Sequence, residues 1–255
     1  MNATSKSLAD ISAVLVAGGK GSRLGAVTRT LPKALVPVSG LPVIQHIIDS
    51  CVAAGVRKFR VSIGHLADAI EDFLGDGSAF GAEVTLYREV VPLGTAGSLI
   101  AMADDLNSTF MLIYADVIFA MDLAAMFEHH QRRAGLCTAL VRPATRPFSS
   151  DLVSVESDGR IRSFISRNQM DQSIRTGAVL APVFFFEPEI LTFIPAEPPA
   201  DLQKDVLAAA LAADERIFAY SACDYVQDIG TPEGLLAANK ILRIRETTAT
   251  IPAAD

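Results

Sequence analysis

An apolar run, Ile11 to Val16, ends abruptly at Ala17-Gly18-Gly19-Lys20-Gly21-Ser22-Arg23-Leu24. The run has the length and β-branching of a buried strand, and the glycines let backbone N–H groups approach a polyanion without Cβ obstruction. Arg23 and Lys33 follow at a spacing that a loop can fold inward. A strand feeding such a loop reads as a phosphate cradle and commits the N-terminal half to an α/β plan, with its site at strand C-termini. The loop is not a P-loop, because no Gly-Lys-Ser/Thr closes it. It also departs from the dinucleotide fingerprint. Gly19 and Gly21 supply two glycines, but Leu24 holds the third position, Gly25 comes one residue late, and no acidic residue follows a second strand.

The pattern downstream extends the α/β reading. Strands are expected at 11–16, 58–63, 83–87, 109–114 and 137–141, alternating with helices at 42–54, 66–74, 95–105 and 122–134. That alternation implies βαβ units and a mainly parallel, Rossmann-like sheet flanked by helices. The second half changes character. Val153–Val155 and Arg160–Ile165, joined by Ser157-Asp158-Gly159, read as a hairpin; Ala178–Phe186 reads as a buried strand, and 201–213 and 232–246 as helices. The expected organisation is a tail at 1–10, one domain over 11–246 with halves 11–141 and 142–246, and a second tail at 247–255.

Composition narrows the class. The 255 residues suffice for one large domain. The apolar runs are too short for a membrane span, and residues 1–10 lack the basic start and apolar core of a signal peptide. A net charge of −7 argues against nucleic acid as the main partner. Cys51, Cys137 and Cys223 fit neither a zinc site nor a disulfide framework and read as reduced and mostly buried. A cytoplasmic protein is expected.

The loop together with Pro32-Lys33-Ala34-Leu35-Val36-Pro37-Val38-Ser39-Gly40-Leu41-Pro42 resembles the signature of the sugar-1-phosphate nucleotidylyltransferases. Pro92-Leu93-Gly94-Thr95-Ala96-Gly97 resembles that family's nucleobase loop. Tyr114-Ala115-Asp116-Val117 and Asp228-Ile229-Gly230-Thr231-Pro232-Glu233 resemble its two metal-binding turns. The resemblance spans roughly residues 11 to 245 and is closest to the mannose- and heptose-1-phosphate guanylyltransferase branch. It implies nucleotidyl transfer from a nucleoside triphosphate to a sugar 1-phosphate, Mg2+ as cofactor, and an acceptor-binding, β-rich C-terminal subregion. A homo-oligomer is compatible with it.

Roles carried over by resemblance are as follows. Ala17, Gly18, Gly19, Gly21, Ser22, Arg23, Glu89, Gly94 and Thr95 would bind nucleotide, and Arg23, Lys33 and Asp116 would serve catalysis. Asp116 and Asp228 would hold the metal. Asp151, Arg167, Thr176 and Gly177 would meet the sugar phosphate, although Ser166 and Arg167 stand where the family commonly has Glu-Lys. Arg167 could replace that lysine, and a plain surface charge is the other reading. The competing reading of Asp116 is a helix N-cap, but Asp122 fits that role better; for Asp228 the competing reading is an Asx-turn residue.

Base choice can be argued from hydrogen bonds. An ionised carboxylate only accepts. Guanine offers adjacent N1–H and 2-amino donors, which Glu89 could take together, whereas uracil offers N3–H between two carbonyls. GTP is therefore expected, with UTP as the alternative, and a nucleotide-sugar-binding regulatory subunit as a third reading. His129-His130 reads as a solvated helix face, Met121 and Met126 as core, and Phe184-Phe185-Phe186 as a buried strand. The apolar residues of 232–246 suit packing or a dimer contact.

Overall fold

The computed structural model describes residues 6–144, 151–166 and 177–249, with side chains described up to residue 244. Among the described residues, thirteen strands alternate with six α-helices in the order β1 Ser12–Val16, β2 Pro37–Val38, β3 Leu41–Pro42, α1 Val43–Ala53, β4 Lys58–Ile63, α2 Ala67–Leu74, β5 Glu83–Arg88, α3 Gly94–Ala101, β6 Phe110–Tyr114, β7 Val117–Ala120, α4 Leu123–Arg133, β8 Cys137–Pro143, β9 Leu152–Val155, β10 Ile161–Ile165, β11 Ala178–Phe186, α5 Ala208–Ala212, β12 Ile217–Tyr220, β13 Tyr225–Asp228 and α6 Pro232–Ala249.

The main sheet runs β5-β4-β1-β6-β11, with β8 and β12 beyond β11 and the β9–β10 hairpin joined at Ala178. Strands β5, β4, β1 and β6 are mutually parallel. β11 returns antiparallel to β6 and β8, so the sheet is mixed. β1, β4 and β6 are buried almost throughout, as parallel strands covered on both faces must be. One face packs α1, α2 and α4 through Ile44, Ile47, Ile48, Ile70 and Met126; the other buries Leu99, Val206 and Leu207.

From β1 the chain crosses to β4 on one side, while β6 lies on the other. Connections therefore leave the C-terminal ends of β1 and β6 in opposite directions, and a crevice opens there. Val16 pairs with Tyr114, and the Ala115 N–H donates to the Val16 carbonyl at 3.0 Å, which sets the glycine-rich loop beside Asp116.

The expected elements recur with shifted ends, and a few change. The helix expected over 95–105 breaks after Ala101, and Ala103–Asp105 follows as a 3₁₀ turn. The helix expected over 201–213 opens as a π-helix, Leu202–Leu207, capped by the Asp201 carboxylate on the Gln203 and Lys204 N–H groups. Residues 6–10, expected within the N-terminal tail, are structured. Ser7 and Asp10 cap a turn at Leu8–Asp10, Leu8 is buried, and Lys6 Nζ donates to Thr109. At the other end α6 continues to Ala249, past the expected start of a tail at 247.

His130 corrects another expectation. It is not solvated but 1% exposed, with Nδ1 2.9 Å from Thr138 Oγ1 and Nε2 3.2 Å from Glu187 Oε1. Met126 is core, Met121 packs against it, and Phe184–Phe186 are buried. Cys51 and Cys137 are buried, and burial raises both thiol pKa values, keeping them protonated and inert. Among the described residues no helix is long and apolar enough to cross a membrane.

Candidate active site

The glycine-rich loop is shaped by specific contacts. Gly21 sits at φ +61°, a left-handed conformation that favours glycine, and opens a 3₁₀ turn over Ser22–Leu24. Thr28 Oγ1 donates to the Gly21 carbonyl at 3.0 Å and pins the turn. Ala17 is buried and its N–H donates to Ser62, while Gly19, Lys20 and Ser22 are exposed. Gly18 lies directly under Glu89: a β-carbon there would come 2.7 Å from Glu89 Oε1 and push that carboxylate aside.

Asp116 and Asp228, distant in sequence, meet through a two-stranded ribbon. β13 pairs antiparallel with β7, Asp228 opposite Val117, and the Ile229 N–H donates to the Asp116 carbonyl at 2.9 Å. Lys33 Nζ forms an ion pair with Asp116 Oδ2, with the lysine side chain 11% exposed and the aspartate 23%. Lys33, Asp228 and Arg23 close around Gly230, and Lys33 ties Asp116 to them. A β-carbon built there would lie 2.6 Å from Lys33 Nζ, 2.7 Å from Asp228 Oδ1 and 3.3 Å from Arg23 Nη2. Burial raises the Asp116 carboxyl pKa; the Lys33 charge pulls it down, and Asp228 pushes it up again. Asp122 caps α4 by accepting from the Ala125 N–H, which leaves Asp116 out of helix capping. Asp228 does form an Asx-type turn, accepting from the Gly230 N–H, and the same turn aims it at Lys33.

Three adjoining chambers follow the C-terminal edge of the parallel strands. The first, about 500 Å³, is lined by Gly18, Gly19, Lys20, His65, Glu89 and Thr95, among others. Glu89 follows β5 directly; its Oε2 accepts from the Leu93 N–H at 3.2 Å, and its buried Oε1 has no hydrogen bond of good geometry among the described residues, with the Ser62 hydroxyl nearby. Burial raises its carboxyl pKa. The second chamber, about 350 Å³, contains Arg23, Thr95, Tyr114, Asp116, Gln203 and Asp228. The third, about 230 Å³, holds Asp151, Arg142, Val179, Gln203 and Asp228.

Gly94 and Thr95 fasten the wall between chambers. Gly94 has φ +84°, and a β-carbon there would lie 2.3 Å from the Ala200 carbonyl oxygen. Thr95 Oγ1 accepts from the Leu202 N–H at 2.8 Å. Gly177 backs the third chamber without lining it: its carbonyl accepts from Ala144, and a β-carbon there would meet Leu152 at 2.8 Å. Arg167 and Thr176 lie outside the described residues. Sequence reasoning missed Arg142, Gln203 and Tyr114. Tyr114 ends an expected strand on the site side and Arg142 directly follows one, which was the available signal; Gln203 stands on a π-turn that carries none.

The two carboxylates fit a magnesium ion. They are hard oxygen donors held side by side, and Mg2+ takes one or two carboxylates plus phosphate oxygens and water. Among the described residues no group of three or more His, Cys, Asp or Glu side chains could hold a metal alone, so phosphate and water would complete the shell.

A glycine-rich loop and paired acids beside the crevice at a strand-order switch point define an α/β protein with its site at the strand C-termini. The Nucleotidyl transferase family model matches residues 12–244, and the chain belongs to that family. Mannose-1-phosphate guanylyltransferase of Mycobacterium tuberculosis is 31% identical over 226 residues, 88% of this chain and 62% of that protein. UTP–glucose-1-phosphate uridylyltransferase of Synechocystis is 25% identical over 210 residues, 77% of this chain and 54% of the relative. The chain thus spans between about half and three-fifths of the length of these relatives. Among solved structures, a Bacillus anthracis protein in complex with a sucrose shares the fold at TM-score 0.82 and 19% identity, covering 96% of this chain and 98% of the other. HddC from Yersinia pseudotuberculosis, complexed with GMP-PN, shares it at TM-score 0.74 and 20% identity, covering 91% and 99%.

Proposed function

We propose that this chain transfers a guanylyl group from GTP to a sugar 1-phosphate of the mannose or heptose type, forming a GDP-sugar and pyrophosphate with Mg2+ as cofactor. The carrying observation is the convergence of Arg23, Lys33 and Asp228 around Gly230, with Asp116 tied to them by Lys33, at the mouth of the β1–β6 crevice. In the reaction, an acceptor phosphate oxygen bonds to the α-phosphorus of the nucleotide, and the bond from that phosphorus to the bridging β-phosphate oxygen breaks. Such a step needs alignment and charge neutralisation more than covalent help.

Arg23 and the N–H groups of Gly18 to Ser22 bind the triphosphate and stabilise charge on the departing pyrophosphate. Lys33 leaves Asp116 to meet the α-phosphate. Asp116 and Asp228 would hold Mg2+, which would neutralise phosphate charge and fix the two substrates relative to each other. Glu89, with a buried oxygen that lacks a partner among the described residues, accepts the guanine N1–H and 2-amino donors. A uridylyl reading draws support from the Synechocystis relative.

The test is pyrophosphate release, measured with each nucleoside triphosphate, Mg2+ and a panel of sugar 1-phosphates. Release with GTP above the other nucleotides is expected. Release with UTP alone would move the reading to uridylyl transfer, and no release with any pair would move it to a nucleotide-sugar-binding regulatory subunit.

A further inference from the structure

The third chamber carries a cation with no role so far. Arg142 stands on β8 opposite Val179 of β11, so the two side chains share a sheet face, and both line this chamber with Asp151, Gln203 and Asp228. The chamber is not separate from the reaction centre: Leu180, Pro182, Gln203 and Asp228 line both. A molecule in it therefore lies against Asp228, on the side of the reaction centre away from Glu89.

An acceptor phosphate must approach a triphosphate that is itself anionic, so the attack needs positive charge on the acceptor side. Arg23 lines the middle chamber, and Lys33, paired with Asp116 in the structure, is assigned above to the nucleotide's α-phosphate. Among the described residues lining the third chamber, Arg142 is the cation. It reaches the Pro143 carbonyl at 3.5 Å, the outer limit of a hydrogen bond, so little is lost when it turns to a stronger acceptor. Its planar fork suits two phosphate oxygens at once.

We propose that Arg142 binds the phosphate of the sugar 1-phosphate and holds it for attack; this rests on the sugar-1-phosphate transferase reading above. Arg142 thus separates acceptor recognition from nucleotide recognition, which Glu89 and the glycine-rich loop perform at the other end of the trough. A phosphate ligand also makes its contribution independent of the sugar.

The experiment is steady-state kinetics of the full chain with GTP, using mannose 1-phosphate and glucose 1-phosphate as acceptors, for the wild type, Arg142→Met and Arg142→Lys. Losing a charge-assisted contact should raise the KM for acceptor about 10- to 100-fold in Arg142→Met, while the KM for GTP stays within about twofold. The factor should be the same for each acceptor the wild type uses, and Arg142→Lys should recover part of the loss. An unchanged acceptor KM, a parallel rise in both KM values, or a factor that differs between sugars would overturn the assignment. Wild-type inactivity with every acceptor and nucleotide would instead bring down the transferase reading, and this inference with it.

Discussion

Replacing Glu89 by glutamine should weaken GTP use and strengthen the apo protein together. In the structure one carboxylate oxygen accepts from the Leu93 N–H at 3.2 Å, and the other is buried over Gly18 without a partner among the described residues. Guanine supplies two donors to this acceptor-only group. Glutamine keeps a carbonyl for one of them and turns an amide N–H toward the other, removing a charge-assisted bond worth about 1.5–3 kcal/mol. The specificity constant kcat/KM for GTP should therefore fall about 10- to 100-fold. Uracil presents N3–H beside a carbonyl, a pattern that glutamine matches, so UTP should lose nothing and should gain relative to GTP. The stability effect runs the other way. Burial raises the Glu89 carboxyl pKa, so its stabilising contribution is present at low pH and is lost as pH rises through the folded-state value. At neutral pH the ionised group is a cost, and Glu89→Gln should relieve about 1 kcal/mol. Calorimetry of the apo protein at neutral pH, beside GTP and UTP kinetics, checks both halves. An unchanged GTP/UTP ratio would refute the base-recognition argument, and a lower Tm would refute the burial argument.

Lys33→Met and Asp116→Asn should each lower turnover by about 100-fold or more, as expected for lost transition-state charge stabilisation; near-wild-type rates in both would mean that the reaction centre lies elsewhere. Gly94→Ala should destabilise the fold by about 3 kcal/mol, combining a left-handed backbone with a clash against the Ala200 carbonyl. Urea unfolding measures this, and a loss well under 1 kcal/mol would contradict the packing. Burial pushes the Glu187 carboxyl up, but hydrogen bonds from His130 and Thr109 outweigh it and hold the pKa below the ordinary 4.5. Its stabilising contribution is present above that value and fades as pH falls through the lower folded one, so Glu187→Gln should flatten the acid limb of a stability–pH curve. An unaltered limb would discount the Glu187 network.

The parallel half was readable because its signals are local. Buried strands such as Phe110–Tyr114 are continuous apolar runs, and the helices between them repeat apolar residues at helical spacing. The cradle was readable for the same reason, since Gly18 to Arg23 act within one turn. What escaped was non-local. Val117–Ala120, Ile217–Tyr220 and Tyr225–Asp228 are strands only because partners distant in sequence pair with them. His130 looked polar on a helix, yet Thr138 and Glu187 satisfy it inside the protein. Arg142 ends a strand whose facing partner, β11, arrives from far along the chain. The resemblance supplied the pairing of Asp116 with Asp228 that no pattern in the chain reveals.

The β7–β13 ribbon makes the site unusually sensitive to alignment. Successive side chains of a strand point to opposite faces, so sliding β13 by one residue would turn Asp228 outward and bring Gln227 or Ile229 into its stead. A single inserted or deleted residue between Asp224 and Asp228 would leave most of the fold intact and remove half of the carboxylate pair. The chain's competence for chemistry is in that sense a matter of counting along one short strand.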